Sequence, residues 1–219
     1  MEPLKNHLKD RFKVYSIDII GFGKSDLPKE PMSTDDFGNF LKEFLTKLNI
    51  ENPILIGHSN GGRTIINYAG RNLGKINKII LIDSAGIKPK RTAKYYIKVY
   101  TFKTLSKILN ISKSTKKLKE KYINKFASTD YKNAPMVLRR TMSKILNEDQ
   151  KELMKNINAE TLIFWGDKDL DTPLKDGIQM EKLIKGSGLV VLEGTGHYSY
   201  LEKLNECLII IDEFLKKDF

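Results

Sequence analysis

The chain has 219 residues, a formal net charge of +11 and a single cysteine, Cys207. With 40% hydrophobic and 30% charged residues it carries enough apolar material for one domain with an insertion, or at most two small ones, and wholesale disorder is excluded. One cysteine excludes a disulfide framework or a cysteine-rich metal site, three histidines leave little for an all-histidine one, and no run of about 18 apolar residues offers a membrane span or a signal-peptide core, so the expected compartment is the cytoplasm.

The N-terminal segment MEPLKNHLKD is polar. Lys13–Ile20 is a short, β-branched apolar run that stops at Gly21 and predicts a strand. Ser33 then caps a predicted helix whose apolar positions Phe37, Phe40, Leu41, Phe44, Leu45 and Leu48 recur at helical spacing. Pro53–Gly57 reads as a buried strand, Asn60–Arg71 as a helix and Ile76–Asp83 as a third strand. From Ile87 to about Asn147 strand signals cease, and helices are predicted around Tyr95–Leu109, Leu118–Phe126 and Met136–Leu146. Alternation then resumes with strand Thr161–Gly166, helix Leu174–Ile184, strand Gly188–Leu192 and helix Leu201–Lys216. Strands separated by helices predict an α/β fold: a mostly parallel sheet with helices on both faces.

The inserted stretch also carries the charge. Lys88–Lys144 holds 17 basic residues against Glu120 and Asp130, leaving 21 bases and 25 acids elsewhere. Such a segment suits an anionic partner, and an amphipathic membrane-surface anchor is one alternative reading. The chain, however, has 32 Lys and only 6 Arg, whereas phosphate recognition favours the forked arginine, so no nucleic acid is expected as partner.

Chemistry concentrates in three loops. Gly57-His58-Ser59-Asn60-Gly61 is a G-x-S-x-G motif between a strand and a helix, the setting that projects a serine hydroxyl from a strained turn beside a helix N-terminus. A serine nucleophile needs a base and the base an orienting group. His7 lies in the polar N-terminal segment and His58 would flank the serine, whereas His197 follows the last strand and can reach Ser59 at the sheet's carboxyl edge. The acid is expected after a strand between them. Asp169, in Trp165-Gly166-Asp167-Lys168-Asp169 before Pro173, is favoured; Asp167 and Asp171 are neighbours that could replace it, and Asp83, ending the third strand, is the competing alternative. Gly21, Gly23, Lys24 and Ser25 match neither a P-loop nor a dinucleotide fingerprint, and no cluster has metal-ligand spacing, so neither cofactor nor metal is expected.

Together these residues resemble the α/β-hydrolase superfamily, in its cap-bearing serine hydrolase branch. Asp18–Ser25 is similar to the family's D-x-P-G-F-G-x-S turn, with Ile20 at the usual proline; GHSNGG resembles its nucleophile elbow, WGDKD with Pro173 its acid loop and GTGHYSYLE its histidine loop. The resemblance implies a core of residues 1–86 and 148–219, a helical cap over 87–147, Ser59 as nucleophile, Asp169 as acid, His197 as base, and the Asn60 backbone N–H as one oxyanion donor. It implies a small, mostly apolar ester or related carbonyl substrate, with C–C bond cleavage as an alternative in which Arg139 and Arg140 pair with a substrate carboxylate. It further implies that the first helix is preceded by strands and a loop carrying the second oxyanion donor, one strand belonging between 13–20 and 53–58. Against that expectation the chain starts at the helix, which predicts weak turnover, a non-catalytic binding protein as the runner-up, and a homodimer through an exposed sheet edge.

Overall fold

The computed structural model describes residues 1–89 and 134–218. The elements in chain order are α1 (Glu2–Leu8), α2 (Thr34–Lys47), β1 (Ile54–His58), α3 (Asn60–Gly70), β2 (Lys78–Ile82), α4 (Met136–Ile145), α5 (Lys151–Met154), β3 (Glu160–Gly166), α6 (Leu174–Leu183), β4 (Ser187–Leu192), α7 (Ser199–Glu202) and α8 (Leu204–Leu215). The strands form one parallel sheet in the order β1-β2-β3-β4, with Gly57 opposite Leu81, Ile80 opposite Leu162 and Ile163 opposite Leu189.

Successive strand side chains point to opposite faces, and here both faces are covered. On one, Ile79, Leu81, Ile163 and Trp165 pack with Leu41 of α2, Ile66 of α3, Met154 of α5 and Met180 of α6. On the other, Ile80, Ile82 and Phe164 pack with Leu4 and Leu8 of α1 and with Cys207, Ile211 and Leu215 of α8. That explains why β2 is buried at all five positions rather than alternating. Cys207 is fully buried, and that burial pushes its thiol up to about 12. α1 is tied to α8 by His7 Nε2 and Arg11 Nη2, 2.8 and 2.5 Å from Asp212 Oδ1. α2 starts as its sequence predicts: the Ser33 hydroxyl accepts from the Asp36 N–H while the Asp36 carboxylate accepts from the Ser33 N–H.

Three expectations change. Residues 13–19 belong to no strand, so the insertion follows the second strand of the sheet and not a third. A strand exists only with a ladder partner, and between this segment and β1 lies a groove of about 490 Å³. The last helix is interrupted at Lys203 (φ −124°, ψ 50°), which separates α7 from α8. The short helix α5 was not anticipated; Met154, fully buried, anchors it. Of the expected cap over 87–147, helix α4 agrees with the Met136–Leu146 reading, whereas the helices around Tyr95–Leu109 and Leu118–Phe126 lie outside the described residues. No helix among the described residues is long and apolar enough to cross a membrane.

Candidate active site

The carboxyl ends of β1, β2, β3 and β4 deliver four loops to one edge of the sheet, where ligand sites of open α/β sheets form. Ser59 follows β1 directly with φ +49° and ψ −113°, a conformation L-residues rarely adopt. Neighbouring backbone holds it there: its N–H donates to Ile82 O at 3.0 Å, and its carbonyl accepts from Ala85 N–H at 3.0 Å and Arg63 N–H at 3.2 Å. The turn leaves no room beside two glycines. A Cβ on Gly57 would lie 2.6 Å from the Gly61 carbonyl carbon, and one on Gly62 would strike the Ser84 hydroxyl. Among the described residues nothing lies near a Cβ on Gly61, so the crowding falls on Gly57 and Gly62.

His197, in the loop after β4, brings Nε2 to 3.0 Å from Ser59 Oγ and Nδ1 to 2.8 Å from Asp169 Oδ2. Such a pairing has Ser59 donating to Nε2 and Nδ1–H donating to the carboxylate. Asp169 is fully buried at its side chain, whereas His197 stays 15% exposed. Burial pushes the Asp169 carboxyl up, but hydrogen bonds from the Thr172 hydroxyl (2.6 Å), from His197 and from the Thr172 N–H (3.0 Å) outweigh it and hold the group below its ordinary value. The Asp171 N–H adds a fourth bond at 2.8 Å.

The competing acid does something else. Asp83, wholly buried and at φ +43°, makes no bond to His197. Its Oδ1 accepts from Gly166 N–H at 2.9 Å, and its Oδ2 accepts from Ser199 N–H at 3.1 Å and Ser199 Oγ at 2.7 Å. It therefore ties the acid-bearing loop and the histidine-bearing loop to the end of β2. Burial pushes its carboxyl up to about 6, against the pull of the Ser199 and Gly166 bonds. Asp167 is also a tether, accepting from Gly194 N–H at 2.6 Å, and Asp171 stands exposed beyond Asp169.

One contributor escaped the sequence reading, and another does more than that reading gave it. Thr172 spans the centre, with its hydroxyl 2.6 Å from Asp169 Oδ2, 3.1 Å from the Asp83 carbonyl and 3.3 Å from His197 Nδ1. Its own carbonyl is fixed by Trp165 Nε1–H at 2.7 Å. His58 flanks the serine as expected, but it also donates from Nε2 to the His197 carbonyl at 2.6 Å and stacks on Tyr198 at 5.0 Å. Burial pushes the His58 pKa down, which keeps the ring neutral. A threonine three residues beyond the favoured acid, and a histidine before the serine, were the only signals available.

Asn60 opens α3, and its N–H bonds to no described residue; its side-chain oxygen is buried and unpartnered. The turn at Gly21 offers no spare donor at its start, because Gly21 N–H is bonded to Asp26 O at 2.9 Å and Phe22 N–H to Ile19 O at 2.8 Å. Asp169, Asp171 and His197 could bring ligand atoms within 4.8 Å of one another, but both Asp169 oxygens are already engaged by hydrogen bonds. Arg139 in α4 donates from Nε to the Ala134 carbonyl at 2.8 Å.

Comparison with known proteins bears on the fold and the family. An AB hydrolase superfamily protein of Bacillus subtilis, YisY, is 26% identical over 95% of this chain and 84% of its own length. A 2-hydroxy-6-oxononadienedioate/2-hydroxy-6-oxononatrienedioate hydrolase of Pseudomonas putida is 27% identical over 98% of this chain and 80% of its own. Among solved structures, an esterase from Exiguobacterium antarcticum superposes with a TM-score of 0.72 at 24% identity, covering 98% of this chain and 86% of the esterase. The meta-cleavage product hydrolase CumD of Pseudomonas fluorescens also superposes with a TM-score of 0.72, at 21% identity, over 100% of this chain and 85% of CumD. The sequence pattern of the alpha/beta hydrolase fold matches residues 1–204, and the chain belongs to that family.

Proposed function

We propose that the protein is a serine hydrolase of small, mostly apolar carbonyl substrates. The observation that carries this is the continuous line Ser59 Oγ–His197 Nε2–His197 Nδ1–Asp169 Oδ2, with contacts of 3.0 and 2.8 Å. In this reading Ser59 Oγ attacks the substrate carbonyl carbon as His197 Nε2 takes its proton. The imidazolium so formed is stabilised by Asp169, which stays ionised because its hydrogen bonds keep its pKa low. His197 then returns the proton to the leaving group, and water, activated by the same imidazole, hydrolyses the acyl-enzyme. The developing oxyanion lies at the N-terminus of α3, where the Asn60 N–H and the helix dipole oppose its charge.

The described residues supply Asn60 as donor, while the first amides of the Gly21 turn are committed elsewhere. Covalent labelling tests the nucleophile directly. A fluorophosphonate probe should react at one site, Ser59, and Ser59→Ala should remove the label without changing the thermal unfolding profile. Labelling that survives Ser59→Ala, or none in the parent chain, would defeat the proposal. C–C bond cleavage is the second reading, favoured by the named activity of the P. putida relative. A nitrophenyl ester and a vinylogous diketone, assayed side by side, separate the two.

A further inference from the structure

Three polar groups meet at the Thr172 hydroxyl, which has one proton to give. Asp169 Oδ2 lies 2.6 Å from Thr172 Oγ1, the Asp83 carbonyl oxygen 3.1 Å and His197 Nδ1 3.3 Å. The two oxygens only accept, so they compete for that proton. The 2.6 Å contact has the length of an O–H bond to an ionised carboxylate, and such bonds are roughly twice as strong as neutral ones. The proton therefore goes to Asp169. The lone pairs of the same oxygen are left for His197 Nδ1–H, which has Asp169 Oδ2 as its near acceptor at 2.8 Å and Thr172 Oγ1 as its far one.

The two oxygens of the Asp169 carboxylate are served differently. Oδ1 takes backbone donors, the Asp171 and Thr172 N–H groups at 2.8 and 3.0 Å. Among the described residues Oδ2 takes side chains alone, Thr172 and His197, and it is the oxygen that faces the imidazole. The Thr172 backbone is fixed independently of its own hydroxyl. Its carbonyl accepts from the buried Trp165 Nε1–H at 2.7 Å, and Pro173 follows it to start α6.

We propose that Thr172 is a positioning residue of the hydrolytic centre: by donating to Asp169 Oδ2 and accepting from His197 Nδ1–H, its hydroxyl fixes the oxygen that faces the imidazole and draws off part of that oxygen's charge. The assignment rests on the hydrolase reading. Burial raises the Asp169 carboxyl, and the Thr172 hydroxyl leads the bonds that bring it below its ordinary value. Without that donor the carboxylate holds an imidazolium more tightly, and the Asp169–His197 pair takes up its proton at higher pH. The hydroxyl thereby keeps the imidazole free to accept from Ser59. The other ionisable groups around the pair keep their places when the hydroxyl is removed: His58 at the end of β1, Asp83 at the end of β2, Asp171 in the acid loop, Asp176 in α6 and Tyr198 beside the imidazole.

The test compares Thr172→Val, which removes the hydroxyl and keeps the branched shape, with Thr172→Ser, which keeps the hydroxyl. Nitrogen NMR of the full chain, labelled in its histidine rings and assigned with His197→Gln, follows protonation of the pair. The midpoint should rise by about one pH unit in Thr172→Val and return in Thr172→Ser. Thr172→Ala should shift it as the valine does, and the shift should persist in an Asp83→Asn background, where the neighbouring carboxylate no longer titrates. With a nitrophenyl ester the acid limb of kcat should move with the midpoint while KM stays unchanged. An unmoved midpoint in Thr172→Val, an equal shift in Thr172→Ser, or a raised KM with the acid limb in place, the mark of a displaced loop, would each overturn the assignment. A parent chain whose Ser59 takes no fluorophosphonate would defeat the hydrolase reading instead, and the ring-nitrogen midpoint would still decide whether Thr172 acts on the pair.

Discussion

At the scale of single residues, the division of labour between two carboxylates is the sharpest result. Asp169 and Asp83 both follow strands and both are buried, yet one meets His197 and the other accepts from three donors, on Gly166 and Ser199. Asp169→Asn should cost about 10⁴ in kcat for a nitrophenyl ester, because an amide facing Nδ1 favours the wrong imidazole tautomer. Asp83→Asn should cost less, on the order of tenfold, since it loosens the Ser199 and Gly166 tethers without touching the imidazole. Its loss should grow in KM and kcat together, as expected when two loops shift. A larger kcat loss from Asp83→Asn than from Asp169→Asn, measured under the same conditions, would exchange their roles. The sequence alone left these two acids as competitors because both follow apolar strands; only distance separates them. Thr172 was invisible for a related reason, since a loop threonine carries no periodic signal and gains meaning from three partners 3, 25 and 89 positions away.

At the scale of elements, the two glycines of the elbow motif differ in how closely the turn packs on them. Gly57→Ala sets a methyl 2.6 Å from the backbone of Gly61 and Gly62, which cannot retreat like a side-chain tip. It should destabilise the protein by about 2–3 kcal/mol, read as a fall in Tm. Gly61→Ala meets nothing within 4 Å among the described residues and sits in a helix, so it should be neutral or stabilising by up to about 1 kcal/mol. Equal destabilisation by the two would mean that the turn is packed differently. The sheet's four strands and the helices α2, α3 and α6 were legible because period-2 and period-3.6 patterns survive in short segments with Gly, Pro or Ser at their ends. The 13–19 segment has the same pattern without the partner: β-branched residues record what a segment is suited to, and pairing decides whether it becomes a strand. The break at Lys203 was unreadable because apolar spacing continues through it on both sides.

At the scale of the whole molecule, the buried carboxylates set opposing responses to acid. Asp83 is raised from 3.8 to about 6 in the fold, so its contribution to stability is fully present below the unfolded value and is lost as pH rises through about 6. Asp169 is lowered, so its contribution is present above 3.8 and disappears as pH falls through its depressed value. The Tm advantage of the parent chain over Asp83→Asn should therefore widen by a few degrees as pH drops from 7 to 4. A gap that stays flat or narrows over that range would contradict the burial assigned to Asp83. The parallel topology has a further consequence, in the time order of assembly. The Ser59–His197 contact joins positions 138 apart, and the histidine reaches its place only when β4 has closed against β3. Contacts of such sequence separation form late in folding. In the proposed reading, a nascent chain stalled on the ribosome before residue 197 carries Ser59 without its base, so the hydroxyl stays unarmed until nearly the whole sheet exists.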